Sequence, residues 1–369
     1  MGKADHRMGT ASLRGTVQLV GQASRPGRWA PGSNAPQTGE TPAPVPASID
    51  LRQCEAVSRL KRAVLEDYSY RDLRRVNWTR RFSALGPRLV RTRTALAFTA
   101  EAARLLSAAR DIHLWLRVGE HTVPTHRRRA RRNVNLALLP GIVPGWRQHN
   151  PVVASGWFPR GIAYVCLRSW PAGQPEVIEP AYRVLRRAMA GGQPLIIDVR
   201  ANGGGAEPLA ARFAGRFIGR SVCYAKHFRR RAGQFIGPIK RWLKPARAGW
   251  RFRGRIAVLV GAGTVSSCES FVLMMRQVPG CRLIGQPTAG ASGNPKPFDL
   301  GNGVVVFLPS WQDMDLDNNC LEGRGIEPDV LVGLETEPVA GKDPVLAAAL
   351  RFLGVGLKRI NGVPRLCST

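Results

Sequence analysis

The spacing of apolar residues changes character several times along the chain. Residues 1–50 show no periodicity and are rich in Gly, Pro, Ser, Thr and Ala (RPGRWAPGSNAPQTGETPAPVPAS), which predicts a disordered leader. From Leu51 to about Trp115 the spacing becomes helical. Val57, Leu60, Val64 and Leu65 recur at three- and four-residue steps, and Phe98, Ala102, Leu105 and Leu106 repeat the pattern. A small helical domain over 51–118 follows from this. Residues 119–159 hold the run HRRRARR (126–132), several Pro and Gly, and few long apolar segments, the mark of a basic linker or irregular subdomain.

Beyond Arg160 short β-rich runs alternate with helical ones. Strands are predicted at GIAYVCL (161–167), PLIIDV (194–199), RIAVLVGAG (255–263), RLIG (282–285) and GVVVFLP (303–309). Helices are predicted around 176–190, at 207–218 and from about Ser266. Continuous apolar strands alternating with helices imply an α/β layered core over about 160–335. In the remaining segment, 336–369, KDPVLAAALRFLG (342–354) predicts a helix with Asp343 as N-cap, Pro344 in the first turn and Gly354 as the stop.

Composition narrows the class. With 369 residues the chain is long enough for two domains, and 44% hydrophobic residues exclude a wholly disordered protein. No stretch approaches the ~18 consecutive apolar residues of a membrane span. Net charge is +30, yet only eight of the 55 cationic residues are Lys. An Arg excess spread over the whole chain reads as a compositional bias, which bears on solubility and adhesion rather than on a specific nucleic-acid site. The seven Cys are widely separated, without a C-x-x-C pair, and so support neither a disulfide scaffold nor a zinc ribbon. His113, His121 and His126 fit no metal-ligand spacing, and no cofactor is expected. The first 22 residues lack the apolar run of a secretory signal, so the chain reads as cytoplasmic, or as extracytoplasmic if its start is misplaced.

Two segments carry chemistry. In Asp198-Val-Arg-Ala-Asn-Gly-Gly-Gly205 a predicted strand runs into three glycines and then a helix. Backbone N–H groups there can turn toward a ligand, and the helix N-terminus adds positive potential, so the turn can cradle an anion. A tight strand-to-helix turn with no ligand has the same appearance. In Gly263-Thr-Val-Ser-Ser-Cys-Glu-Ser270 a hydroxyl follows directly on a strand, where a helix dipole stabilises negative charge; Ser266 or Ser267 also reads simply as an N-cap.

Taken together and in order, DVRANGG (198–204), GTVSSCE (263–269), GQPTAG (285–290) and GRGIEPD (323–329) resemble the tail-specific, or C-terminal processing, serine peptidase family, which includes the catalytic core of tricorn protease. The resemblance is strong over about 160–353 and weaker over 52–118. It implies a spiral β/α core like that of crotonase and ClpP-like proteins. It also implies Ser266 as nucleophile, with an oxyanion hole from the backbone N–H groups of Ser267 and of Gly203 or Gly204. Substrates would be polypeptides, as unfolded chains or C-terminal tails. The usual PDZ domain is not evident, because 117–160 is too short for it.

The chain departs from the family at the general base. Where one branch carries Lys after P-T-x-G there is Ala291, and where the tricorn-like branch carries His after a Tyr there is Cys166. Glu322 matches the acidic residue that polarises the base in that branch. A serine hydroxyl needs a base within hydrogen-bond reach. The candidates are His113 of Asp111-Ile-His113, which resembles a D-x-H element ahead of such cores; Lys296; and His227, whose neighbourhood reads as a solvated basic face. A serine endopeptidase acting through an acyl-enzyme at Ser266 is therefore expected. The alternatives are a catalytically silent relative binding peptides or apolar ligands in the same cleft, and an Arg-driven nucleic-acid binder centred on Arg127–Arg132.

Overall fold

Alternation along the central strands decides which face of the sheet each side chain takes. The computed structural model describes residues 51–128, 132–247, 249–333 and 342–354, with the backbone of 357–360 and 363–366. The expected leader over 1–50 and residues 129–131 of the arginine run lie outside the described residues.

Three helices come first: α1 (Leu51–Glu66), α2 (Trp78–Val90) and α3 (Ala95–Leu106). The Asn77 side chain caps α2 by accepting from Arg80 N at 2.9 Å, and Thr94 caps α3 by accepting from Ala97 N at 3.1 Å. There follow β1 (Trp115–Val118), β2 (His121–Pro124), a one-turn α4 (Leu139–Ile142), β3 (Arg147–Gln148), β4 (Val153–Phe158) and β5 (Ile162–Leu167). Next are α5 (Glu179–Ala190), β6 (Leu195–Asp198), α6 (Glu207–Ala214), β7 (Val222–Arg231), β8 (Gln234–Leu243), β9 (Ile256–Val260) and α7 (Ser267–Arg276). The chain continues through β10 (Cys281–Gly285), β11 (Pro295–Asp299), β12 (Val304–Pro309), β13 (Trp311–Met314), β14 (Val330–Leu331), α8 (Pro344–Phe352) and the hairpin β15 (Leu357–Ile360) and β16 (Val363–Leu366).

The core is a mixed α/β fold around a seven-stranded sheet of order β14-β10-β9-β6-β5-β4-β3. The neighbours from β14 to β5 are parallel, and β4 and β3 add antiparallel edges. Ala163, Val165, Leu195, Ile197, Ile256 and Val258 pack on one face against α5, α6 and α7. Tyr164, Cys166, Ile196, Ala257 and Leu259 pack on the other, against α8. Both faces being covered explains the continuous apolar runs of β5, β6 and β9.

Three features differ from the sequence reading. GVVVFLP forms β12, but in a separate antiparallel sheet β11-β12-β1-β2. Its Val304, Val306 and Leu308 are buried with Leu60, Phe98 and Leu105 of the helical segment, while Val305 and Phe307 are half-buried. Five apolar residues in a row had concealed this alternation. The stretch 119–159 supplies β2, β3 and the buried strand β4. The basic segment after Ser221 is the hairpin β7–β8, turning at Ala232 and Gly233, both at positive φ, and extended by β13. Its strands were not anticipated because exposed Arg and Lys dilute their apolar pattern.

Candidate active site

Two of the strand-to-helix junctions meet at one point. After β9 the chain passes through Gly261–Val265 and reaches Ser266, which starts α7 at φ 58°, ψ −129°. A positive φ at a non-glycine residue costs of order 1–3 kcal/mol and persists only where the surroundings enforce it. The enforcement is visible. The Ser266 N–H donates to the Ala291 carbonyl at 2.9 Å and to Glu269 Oε2 at 3.3 Å.

Glu269 is fully buried, and both its oxygens are occupied. Oε1 accepts from Thr288 Oγ1 at 2.5 Å and Gly290 N at 2.8 Å; Oε2 also accepts from Ala291 N at 2.8 Å. Burial pushes its carboxyl up to about 7 against the lowering effect of those donors. Glu269 thus ties the P-T-A-G loop to the first turn of α7. Sequence reasoning assigned it no role, although Ser266-x-x-Glu269 has the spacing of a capping box.

The glycine turn after β6 packs against Ser266. A Cβ on Gly204, which has φ +98°, would lie 2.9 Å from Ser266 Cβ and from Val265 O, and 3.2 Å from Ser267 N. The amide of Gly204 itself is committed, donating to Asn202 Oδ1 at 2.9 Å. The Gly203 and Ser267 N–H groups have no hydrogen-bond partner among the described residues. Of the expected oxyanion donors, Gly203 and Ser267 are therefore free, and Gly204 serves as the close-packing position.

Ser266 opens into a cleft of about 450 Å³ shared with Ser292, Glu207, Arg241, Trp311 and Asp313. Ser292, Asp313 and Arg241 carry no sequence signal for this placement; tertiary structure alone brings them here. Burial and the nearby Glu207 raise the Asp313 carboxyl to about 6, while Ser292, Trp311 and Arg241 oppose the rise. Arg241 pairs with Glu207 at 2.8 Å and lies over the Trp311 ring.

Glu322 stands one layer behind. Its Oε2 accepts from Ser292 N at 2.9 Å, and its Oε1 pairs with Arg74. Arg74 also lies 3.9 Å from Asp111, which accepts from Tyr68 OH and from His113 N, both at 2.8 Å. Burial, reinforced by Asp111, holds the Glu322 carboxyl above the usual carboxylate range in spite of Arg74. His113 is 9% exposed, its Nδ1 is buried without a partner, and burial lowers its pKa.

Of the remaining candidates, Lys296 and Cys166 stand apart, while His227 lies behind the cleft wall against Trp311 and Arg241. Lys296 is exposed on β11 opposite Leu308 and is not among the cleft-lining residues. His227 is no part of a solvated face. It is 2% exposed, stacks on Trp311 at 4.6 Å, and is held down to about 4 by burial and by Arg241 and Arg229. Cys166 sits on the α8 side of the sheet with its thiol pushed up to about 12 by burial. Among the described residues no nitrogen base hydrogen-bonds to the Ser266 side chain, and no cluster of three His, Cys, Asp or Glu could hold a metal ion.

The match to known proteins follows this geometry: residues 161–332, from β5 through β14, fit peptidase family S41. Over that segment the chain is similar to peptidase family S41. The matched segment carries both strand-to-helix junctions and Glu322, while His113, Arg74 and α8 come from outside it.

Solved structures show the same fold. One is a protein of Parabacteroides merdae assigned as a peptidase, 21% identical, covering 82% of this chain and 96% of its own, with a TM-score of 0.70. Mature CPAF is 11% identical over 86% of this chain and 100% of its own, at a TM-score of 0.62. The tricorn protease is 15% identical over 82% of this chain but only 36% of its own, at 0.52. Identities this low carry the fold alone. No curated protein sequence matches the chain. No described helix is long and apolar enough to cross a membrane.

Proposed function

We propose that this chain is a serine endopeptidase of the S41 type that cleaves through an acyl-enzyme on Ser266. One observation carries the reading: Ser266 is held at a strained φ at the head of α7, facing a cleft and backed by Gly204. Its Oγ attacks the scissile carbonyl carbon, and the developing oxyanion takes hydrogen bonds from the uncommitted N–H groups of Gly203 and Ser267. Each such donor is worth ~10²–10³ in rate.

His113 acts as the base. Burial keeps its imidazole neutral near pH 7, and so able to take the Ser266 proton and return it to the leaving amine. Asp111, Arg74 and Glu322 link its segment to Ser292 in the cleft. His113 is not itself among the cleft-lining residues and has no hydrogen bond to Ser266 in the free protein, so this role calls for a closer approach when substrate is bound. Substrates are unfolded chains or C-terminal tails, in keeping with another structural neighbour, the photosystem II D1 C-terminal processing protease, 14% identical over 80% of this chain and 99% of its own at a TM-score of 0.50.

A second reading, a silent peptide-binding protein, is favoured by the Ser266 side chain having no nitrogen base in hydrogen-bond contact. A fluorophosphonate probe separates the two. The peptidase labels in wild type and fails to label in Ser266→Ala; equal absence of labelling in both sinks the enzymatic reading.

A further inference from the structure

The candidate oxyanion turn hangs on a charge buried beneath it. Arg200, two residues past the end of β6, is completely buried. A buried guanidinium requires carboxylates and acceptors around it. Asp198 supplies one set, receiving Nε at 3.0 Å and Nη2 at 2.6 Å. Asp343 supplies the other as a fork, with Nη1 and Nη2 each 2.8 Å from one of its oxygens. The Asn133 carbonyl takes a further bond from Nη1 at 3.0 Å.

Asp343 lies outside the segment matched to the family and is the N-cap of α8, where its Oδ1 also accepts from Leu346 N at 3.0 Å. The residues around Arg200 carry both halves of the site. Thr264 Oγ1 donates to Val199 O at 2.9 Å, Val265 N donates to Asn202 O at 3.0 Å, and Asn202 Oδ1 holds Gly204 N. Asn133 in turn bonds Val260 O, at the end of β9, at 2.9 Å.

We propose that Asp343 is a positioning residue: by clasping Arg200 it steadies segment 199–205 against the Ser266 junction, so that the geometry of the oxyanion hole depends on the docking of α8. The consequence for catalysis rests on the peptidase reading above; the clasp itself does not. Nη1 and Nη2 would each lose an acceptor without Asp343, while the 199–205 turn would keep its bonds to Leu259, Trp170 and residues 264–265 and the Arg200 bond to the Asn133 carbonyl. The helix α8 then acts as part of the active site although none of its residues lines the cleft.

Native-state hydrogen exchange in increasing urea tests the clasp on the unmodified protein. The amides of 199–205 and of the first turn of α8 are expected to open together, with one urea dependence; separate openings overturn the proposal. With Asp343→Asn, exchange over 199–205 should rise at least about tenfold and the initial rate of fluorophosphonate labelling should fall about tenfold. Asp343→Glu should recover part of both. Leu60→Ala, which destabilises the helical segment without touching α8 or the turn, is the control, compared at a temperature where each variant is fully folded. If it speeds exchange over 199–205 as much as Asp343→Asn does at equal loss of Tm, the effect is general loosening and the clasp is refuted. Should wild type fail to label while exchange responds as stated, the clasp stands and the peptidase reading falls.

Discussion

The carboxylate of Glu269 accepts the main-chain N–H of Ser266 at 3.3 Å, so the group that braces the candidate nucleophile lies one helical turn beyond it. The same carboxylate gathers Thr288, Gly290 and Ala291. Replacing it by Ala would leave three buried donors, those of Thr288, Gly290 and Ala291, without an acceptor, at about 1–3 kcal/mol each before relaxation.

The position of Glu269 sets a pH dependence. Its carboxyl is held at about 7, against an ordinary value of 4.5. Between those values the folded protein keeps a proton that the unfolded chain has released, so stability falls as pH rises from about 4.5 to 7. This one group contributes a slope of up to about 1.4 kcal/mol per pH unit. Urea unfolding of wild type and Glu269→Gln over that window should show a flatter profile in the variant. Identical slopes would contradict the assignment.

Gly203 and Gly204 should respond differently to a methyl group. At Gly204 a Cβ meets Ser266 Cβ and Val265 O at 2.9 Å and also forces φ +98° on an alanine. At Gly203 nothing lies within 4 Å. Gly204→Ala is expected to slow probe labelling by ~10² or more, as loss of an oxyanion donor would, and Gly203→Ala by only a few-fold. The reverse order would show that the turn does not approach Ser266 as described.

Two of the three base candidates, His113 and Lys296, separate in the same assay. His113→Asn should lower the labelling rate by ~10²–10⁴, the range of general-base catalysis, whereas Lys296→Ala should leave it unchanged. The wild-type rate should level off only above the pKa of His113, which burial holds below the ordinary histidine value. A Lys296→Ala variant that loses labelling would reassign the base.

Cys166, at the position where one branch of the resembling family keeps its base, has no acid–base role near neutrality. Its thiol is 2% exposed and pushed up to about 12. Intact-mass measurement after iodoacetamide treatment at pH 8 should find Cys166 unmodified in the native protein, while the half-buried Cys54, Cys223 and Cys320 react first. Rapid native alkylation at Cys166 would disprove its burial.

The core strands β5, β6, β9 and β10 and the junctions at 198–205 and 263–270 were legible along the chain because each is a local pattern: apolar runs ended by glycine or by a hydroxyl. The cap at Asp343 was equally local, and its side chain does accept from Leu346 N. The alternation in β12, the basic hairpin β7–β8 and the sheet strand β4 were not legible. The apolar face of β12 is completed by residues more than two hundred positions away, Leu60 and Phe98 beside Val306.

By itself the sequence determined a layered α/β core with a hydroxyl and a glycine turn at successive strand ends, since strand burial and turn chemistry act between neighbours in the chain. Tertiary structure decided which of those amides stays free, which carboxylate holds Ser266, and that Asp343 shares Arg200 with Asp198 across 145 positions of chain. Such choices depend on the compensation of buried charge and on hydrogen-bond pairing, which exist only once distant segments are packed together.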